Sequence, residues 1–350
     1  MRRTPYILAV DGGNTKTLAV VIDRGGAIRG VGMGGCSDIY NATPTDGERD
    51  PAAAALANAM RAITAALDTA QVGPLELAVT VFNMAGADWP EDIAFWREAA
   101  TARGLGEIII VQNDALGVLY GASPSATGVS IVAGTGVATG ARAADGTVWH
   151  SSFWQDEAQG SSHLGQSLLY AVYRSALELA PPTTLTARVL DLLGVPTVEA
   201  TLHLFHNRLQ PAPIRVDRLA PIVLDEAHAG DDVALHIVRA HASALGDMAL
   251  VAARHVGLVE SAFSLVLAGG LFRHPTTVLE DAIVAQVRLA APDIQPIRST
   301  GEPIVGVIVE ALKAAGEPIT SALIARLTAA FPTAAPPLSA VELTRVDEHL

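Results

Sequence analysis

The stretch Asp11-Gly12-Gly13-Asn14-Thr15-Lys16-Thr17 follows a short apolar run, Tyr6–Val10. Glycines there let backbone N–H groups approach phosphate oxygens with no Cβ in the way. Thr15 and Thr17 add hydroxyl donors and Lys16 adds positive charge. Asp11, at the end of the run, can orient water around a divalent metal. The same residues also fit a tight hairpin that needs glycine for geometry alone. The Gly-x-x-x-x-Gly-Lys-[Ser/Thr] spacing of a Walker A loop is absent. Gly134-Thr135-Gly136 repeats the pattern after the apolar run Val129–Ala133. Read through to Gly140 it approximates a dinucleotide fingerprint, but the spacing is wrong and a hairpin follows where a helix is required, so dinucleotide binding is rejected. Gly269-Gly270-Leu271 is a third such turn, able to let an adenine ring lie flat against backbone or simply to join a strand to a helix. Asn113-Asp114 follows the run ending at Val111. A carboxylate at the C-terminal end of a buried strand is where α/β sheets place chemistry. Asp114 can accept a proton from a hydroxyl attacking a phosphoryl group, or it can serve as a helix N-cap.

The elements that would carry these residues alternate between short β-rich runs and helical stretches. Tyr6–Val10, Thr17–Asp23 and Ala27–Gly32 read as strands, with a glycine turn at Gly25-Gly26. Asp50–Gln71 and Ala94–Arg103 read as helices, and Leu75–Phe82 and Ile108–Val111 as buried strands. The order strand, Gly-rich turn, strand, turn, strand recurs at Val129–Ala133, Val137–Arg142 and Thr147–Ser151, offset by roughly 120 residues. Two related lobes with their glycine turns facing one cleft would produce this pattern; so would two unrelated β-meanders. After Ser162 the chain reads mostly helical: Leu164–Leu179, Thr184–Leu193, Leu219–Ala229 and Asp232–His255. A strand at Phe263–Leu267 and a helix at Val305–Ala315 follow. The fold class expected is α/β with covered sheet faces.

Composition narrows the function. Of 350 residues, 50% are hydrophobic and 17% charged, which excludes a disordered chain. A net charge of −13 argues against a phosphate-backbone partner. The single cysteine, Cys36, excludes an internal disulfide framework, a Cys-based zinc site and an iron–sulfur cluster held by one chain. No run approaches the roughly 20 apolar residues of a membrane span. Tyr6–Val10 is too short for a signal-peptide core, so a soluble cytoplasmic protein is expected. The histidines His203, His206, His228, His236 and His241 lack a metal-ligand pattern. Trp89, Trp96, Trp149 and Trp154 read as packing residues, with Trp154 able to line a sugar pocket. There is no Gly-x-Ser-x-Gly elbow for serine hydrolysis.

Together these motifs resemble the actin-like ATPase superfamily of sugar kinases, chaperones and actin. Within it they are most similar to the N-acetylglucosamine kinases and the related benzoyl-CoA-reductase-type ATPases. Asp11–Thr17 resembles the first phosphate motif, Gly134–Gly136 the second, and Gly269-Gly270 the adenosine motif. Asn113-Asp114-Ala115 resembles the segment with the catalytic aspartate, and Pro303-Ile304-Val305-Gly306-Val307 a C-terminal Pro-x-x-Gly-Ala segment. The resemblance implies two ribonuclease H-like lobes, residues 1–117 and 118–315, the second with helical insertions, followed by a helical tail, 316–350. It also implies ATP and Mg²⁺ in the cleft, with Thr15 and Thr135 on phosphates and Asp114 as base. Sugar contacts map onto Asp38 or Asn41, Asp88 and Asp156. The family's Gly-Asp-Glu-Gly-Ser segment is altered here at Gln155–Ser161, and Ser152-Phe153-Trp154 stands where Gly-Trp-Gly is usual.

The activity expected is ATP-dependent phosphorylation of an amino sugar or hexose. The expected partner is a small-molecule sugar, with no nucleic acid or membrane and a homodimer as candidate assembly. Two other readings stay open. A non-catalytic nucleotide or sugar sensor would share the fold. An ATPase activator of a radical dehydratase would need two cysteines per subunit for a shared cluster, and this chain has one.

Overall fold

The computed structural model describes residues 5–44, 50–122, 124–155, 160–212, 214–299 and 301–331. The first sheet has the order β3-β2-β1-β4-β5. It comprises β1 (Tyr6–Gly12), β2 (Thr17–Asp23), β3 (Ile28–Gly34), β4 (Leu77–Met84) and β5 (Ile108–Asn113). β1 to β3 form an antiparallel meander, and β4 and β5 run parallel to β1. The second sheet comprises β6 (Gly128–Ala133), β7 (Val137–Arg142), β8 (Val148–His150), β9 (Ser264–Ala268) and β10 (Gln295–Arg298) in the order β10-β9-β6-β7-β8. Its first three strands again form an antiparallel meander and its last two are again parallel to the first. The repeat legible in the sequence is therefore a duplication of strand order and direction.

Strand β1 shows why the sheets are buried on both faces. Ile7 and Ala9 point to one core, Leu8 and Val10 to another, as a side-chain period of two requires. The outer face of the first sheet is covered by α1 (Pro51–Ala70) and α2 (Pro90–Thr101). The outer face of the second is covered by α4 (Ser161–Ala176), α5 (Thr184–Leu193), α7 (Ala220–Ala229), α8 (Asp232–His255) and α9 (Val278–Arg288). A short α6 (Val198–His206) precedes α7.

Between the sheets lie α3 (Asp114–Ala122) and α10 (Ile304–Ala314). They occupy equivalent places, each following the last strand of its sheet. Residues 304–312 of α10 are all buried, because both sides of the helix face protein. The helices cross where Gly306 meets Gly117: a Cβ on Gly306 would sit 1.9 Å from the Gly117 carbonyl oxygen. α10 packs against β1, β2 and β4 of the first sheet, and α3 reaches β6, β7 and β9 of the second. The expected lobe boundary at 117/118 thus falls inside α3, and α10, expected in the second lobe, lies on the first sheet. The last described helix, α11 (Ser321–Ala330), is tied to the β2–β3 turn by Arg326 donating to Gly25 O at 2.7 Å. Residues 332–350 of the expected tail lie outside the described residues.

Candidate active site

Three glycine turns, more than 100 residues apart in the chain, meet at the cleft. Gly269 has φ +99°, and a Cβ there would strike the Ala133 carbonyl oxygen at 2.4 Å. This close approach seats the third turn on the strand that leads into Gly134. Gly134, Gly136 and Gly270 have open space where a side chain would be. The first turn joins them through ions. Lys16 Nζ lies 3.3 Å from Glu302 Oε2, and Arg273, at the end of the third turn, lies 3.1 Å from Glu302 Oε1.

Asp114 begins α3 at the mouth of β5. Its alternative role as a cap is taken by its neighbour, since Asn113 Oδ1 accepts from Ala115 N at 2.9 Å. Burial, then the nearby carboxylates of Asp11, Asp88 and Asp38, push the Asp114 carboxyl up to about 7. Burial, opposed by a hydrogen bond from Asn83, leaves Asp11 at about 6, with Glu302 raising it further and Lys16 lowering it. Four acids from separate loops thus share one electrostatic field, and the one at Asp114 is poised to exchange a proton near neutrality.

The candidate sugar residues form a connected set beside it. Asp38 is buried and accepts from Tyr40 N at 2.8 Å and from Asn41 Nδ2 at 2.9 Å. Asn41 also donates to Asn14 Oδ1 at 3.0 Å, linking this loop to the first glycine turn. Asp88 accepts from Asn113 Nδ2 at 2.8 Å and, across the cleft, from Ser152 Oγ at 3.0 Å. Ser152 has φ +41°. Such a backbone disfavours any residue but glycine, and its hydroxyl is the group that reaches Asp88. Tyr40, Trp89 and Phe153 line the rim: Phe153 stacks on Trp89 at 6.2 Å and meets Tyr40 edge-on at 5.1 Å. Trp154 is 74% exposed, whereas Trp96 is buried and Trp149 stacks on His255.

Some expectations change. Thr17 is fully buried and its hydroxyl donates to Gly35 O at 2.7 Å, with Ser37 Oγ at 2.8 Å, so it braces the turn and leaves Thr15 as the outward hydroxyl. Leu271 is buried in the second-sheet core, so only its backbone can face a ligand. Lys16 is engaged by Glu302. Asp156 lies outside the described residues. Sequence reasoning missed Glu302, Arg273, Asn83, Gln112 and Ser152. Asn83 carried a signal, being a polar residue at the end of a strand buried throughout.

Comparison with known proteins bears on family and fold. The profile of the BadF/BadG/BcrA/BcrD ATPase family matches residues 8–311. An N-acetyl-D-glucosamine kinase of Dictyostelium discoideum is 26% identical over 317 residues, covering 87% of this chain and 97% of that protein. A Chromobacterium violaceum structure, provisionally described as an N-acetylglucosamine kinase, superposes with a TM-score of 0.61 at 20% identity, covering 87% of this chain and 98% of the other. A ROK family glucokinase from Streptomyces griseus, solved with glucose and AMPPNP, superposes with a TM-score of 0.52 at 16% identity, covering 87% and 98%. These two superpositions speak to fold.

Proposed function

The chain belongs to the BadF/BadG/BcrA/BcrD ATPase family, and from that premise we propose that it is an ATP-dependent sugar kinase acting on N-acetylglucosamine or a related amino sugar or hexose. The observation that carries the proposal is Asp114. It is a carboxyl at a strand end, freed from capping by Asn113, flanked by converging glycine turns and shifted to about 7. A sugar hydroxyl placed beside it would attack the γ-phosphorus as Asp114 takes its proton. Backbone N–H groups of residues 12–15, 134–136 and 269–271 would hold the phosphates and the adenosine. Lys16 and Arg273 would meet the phosphate charge in place of Glu302. Asp38, Asn41 and Asp88 would bind sugar hydroxyls, with Asp156 a further candidate.

Mg²⁺ fits as a companion of the nucleotide. Among the described residues no group of three or more His, Cys, Asp or Glu could hold a metal. Mg²⁺ commonly takes one or two carboxylates and fills its shell with phosphates and water, and Asp11 supplies such a carboxylate. Held through Asp11, the ion would supply positive charge to offset that of the phosphates. Among the described residues no helix is long and apolar enough to cross a membrane. A cytoplasmic location and a homodimer are part of the same proposal.

The test is a panel of amino sugars and hexoses with coupled ADP detection. Asp114→Asn is expected to bind ATP normally and to lose turnover by about 10²–10⁴-fold, the range of a general base. An Asn variant with wild-type turnover would refute the base assignment.

A further inference from the structure

Glu310 is the one acid in the α10 sequence, in the midst of an apolar segment. Its buried carboxyl accepts from Gln112 Nε2 at 2.6 Å and from the Tyr120 hydroxyl, with Arg142 and Lys313 as neighbouring cations. Arg142 and Lys313 also lie over the Tyr120 ring, at 5.3 and 5.6 Å. A buried acid at a helix crossing is not needed for packing, since an apolar side chain of similar volume does as well or better. Its bonds lead to the catalytic cleft. Gln112 Nε2 also donates to Asn83 Oδ1 at 3.3 Å. Asn83 Nδ2 then faces the Asp114 backbone carbonyl at 3.2 Å and Asp11 Oδ1 at 3.5 Å.

This chain of groups has a direction. A carboxylate only accepts, whereas an amide side chain donates from one edge and accepts at the other. An acceptor at Glu310 turns the Gln112 NH₂ toward it and toward Asn83. That contact turns the Asn83 carbonyl toward Gln112, leaving the Asn83 NH₂ for Asp11 and Asp114. With the direction reversed, the Asn83 carbonyl would face a carboxylate and a carbonyl, three acceptors with no donor among them.

We propose that Glu310 is a positioning residue: it fixes the donor–acceptor direction of the Gln112–Asn83 pair, so that a donor is presented to Asp11 and to the start of α3. Because Glu310 comes from the second half of the chain and Gln112 and Asn83 from the first, the site acquires this donor only when α10 is seated against the first sheet. The kinase reading is needed only to give the two aspartates their meaning.

The deciding variant exchanges the partners, Gln112→Glu with Glu310→Gln. It keeps one amide, one carboxylate and the hydrogen bond between them, but it sets an acceptor-only group against Asn83 and so reverses the chain. The measurements are kcat and KM for sugar and ATP at pH 8, the melting temperature, and the ¹H–¹⁵N resonances of the Asn83 side-chain amide. The expected result is a folded protein with unchanged KM values, a shifted Asn83 resonance and a kcat lower by about tenfold or more, the loss of a buried hydrogen bond to a charged group. A folded exchange variant with wild-type kcat and an unmoved Asn83 resonance overturns the proposal. Should the exchange variant not fold, Glu310→Leu, which leaves no acceptor at position 310 and keeps a similar volume, decides on the same readings. Reduced kcat with a shifted Asn83 resonance supports the proposal, and wild-type values for both overturn it. If the wild-type protein phosphorylates no sugar, the kinase reading fails and the Asn83 resonance alone decides this inference.

Discussion

At Asp114 the same forces that tune the acid also mark it in stability. Its value in the folded protein, about 7, lies above the ordinary 3.8 because burial and neighbouring carboxylates penalise the charged form. The folded state therefore holds the proton over that window and loses stability as pH rises from about 4 through about 7. Each pH unit in the window is worth roughly 1.4 kcal/mol. Asp114→Asn is expected to melt higher than wild type at pH 8, with the gap closing toward pH 4, as differential scanning calorimetry would show. Turnover should rise with pH through about 7 as the base ionises. A flat profile between pH 5.5 and 8 would count against a proton transfer at this group. Glu302 makes a separate case. It holds Lys16 and Arg273, the two cations nearest the glycine turns. Glu302→Gln is expected to lower the KM for ATP about threefold or more, since each exposed ion pair it removes is worth up to about 1 kcal/mol. Isothermal titration with a non-hydrolysable ATP analogue would measure this directly.

Among the elements, the α3–α10 crossing bears most on the site. Both helices run between the sheets, and their contact depends on Gly306 lying against the Gly117 carbonyl. Gly306→Ala places a methyl group where backbone stands, so the helices must separate. Overpacking of this kind costs about 1–3 kcal/mol, to be read as a lower midpoint in urea. Gly117 has a second neighbour: a Cβ there would approach Asn83 Nδ2 at 2.4 Å. Gly117→Ala is accordingly expected to reduce kcat by displacing the Asn83 amide, with a smaller loss of stability than at Gly306. Equal effects on stability and no effect on kcat would mean that Asn83 does not matter to turnover.

Across the two lobes, contacts over the cleft among the described residues include the Lys16–Glu302–Arg273 ions at the glycine turns, and the Asp88–Ser152 hydrogen bond with the Tyr40–Phe153 and Trp89–Phe153 ring contacts at the other end. Both are polar or exposed, and such contacts open more readily than a packed core. Ser152→Gly would relieve the left-handed backbone and remove the hydroxyl. It is expected to leave the melting temperature unchanged or slightly higher while raising the KM for sugar by about three- to tenfold, the effect of one lost hydrogen bond. Addition of ATP analogue and sugar together should shrink the radius of gyration in small-angle scattering, as lobes closing on a ligand would.

Much of the order of elements was legible in the residues alone, because it rests on local rules; α6, α9 and β10 were not read. Buried strands appear as short apolar runs, turns as glycine pairs, and α8 and α5 as periodic apolar spacing; Thr184–Leu193 and Asp232–His255 match to the residue. The duplicated meander, the glycine turns and the acid after β5 were legible for the same reason. What needed the folded molecule was every relation between distant segments. Glu302 reads as an ordinary loop acid until it stands between Lys16 and Arg273. Glu310 reads as a break in an apolar helix until it meets Gln112, 198 positions away. Thr17 reads as a phosphate donor until its hydroxyl is found bonded to Gly35. The residue types state which groups are available to donate, accept or ionise. Which partner each one meets depends on how α3 and α10 cross and close the two sheets on one another, and only the folded chain fixes that.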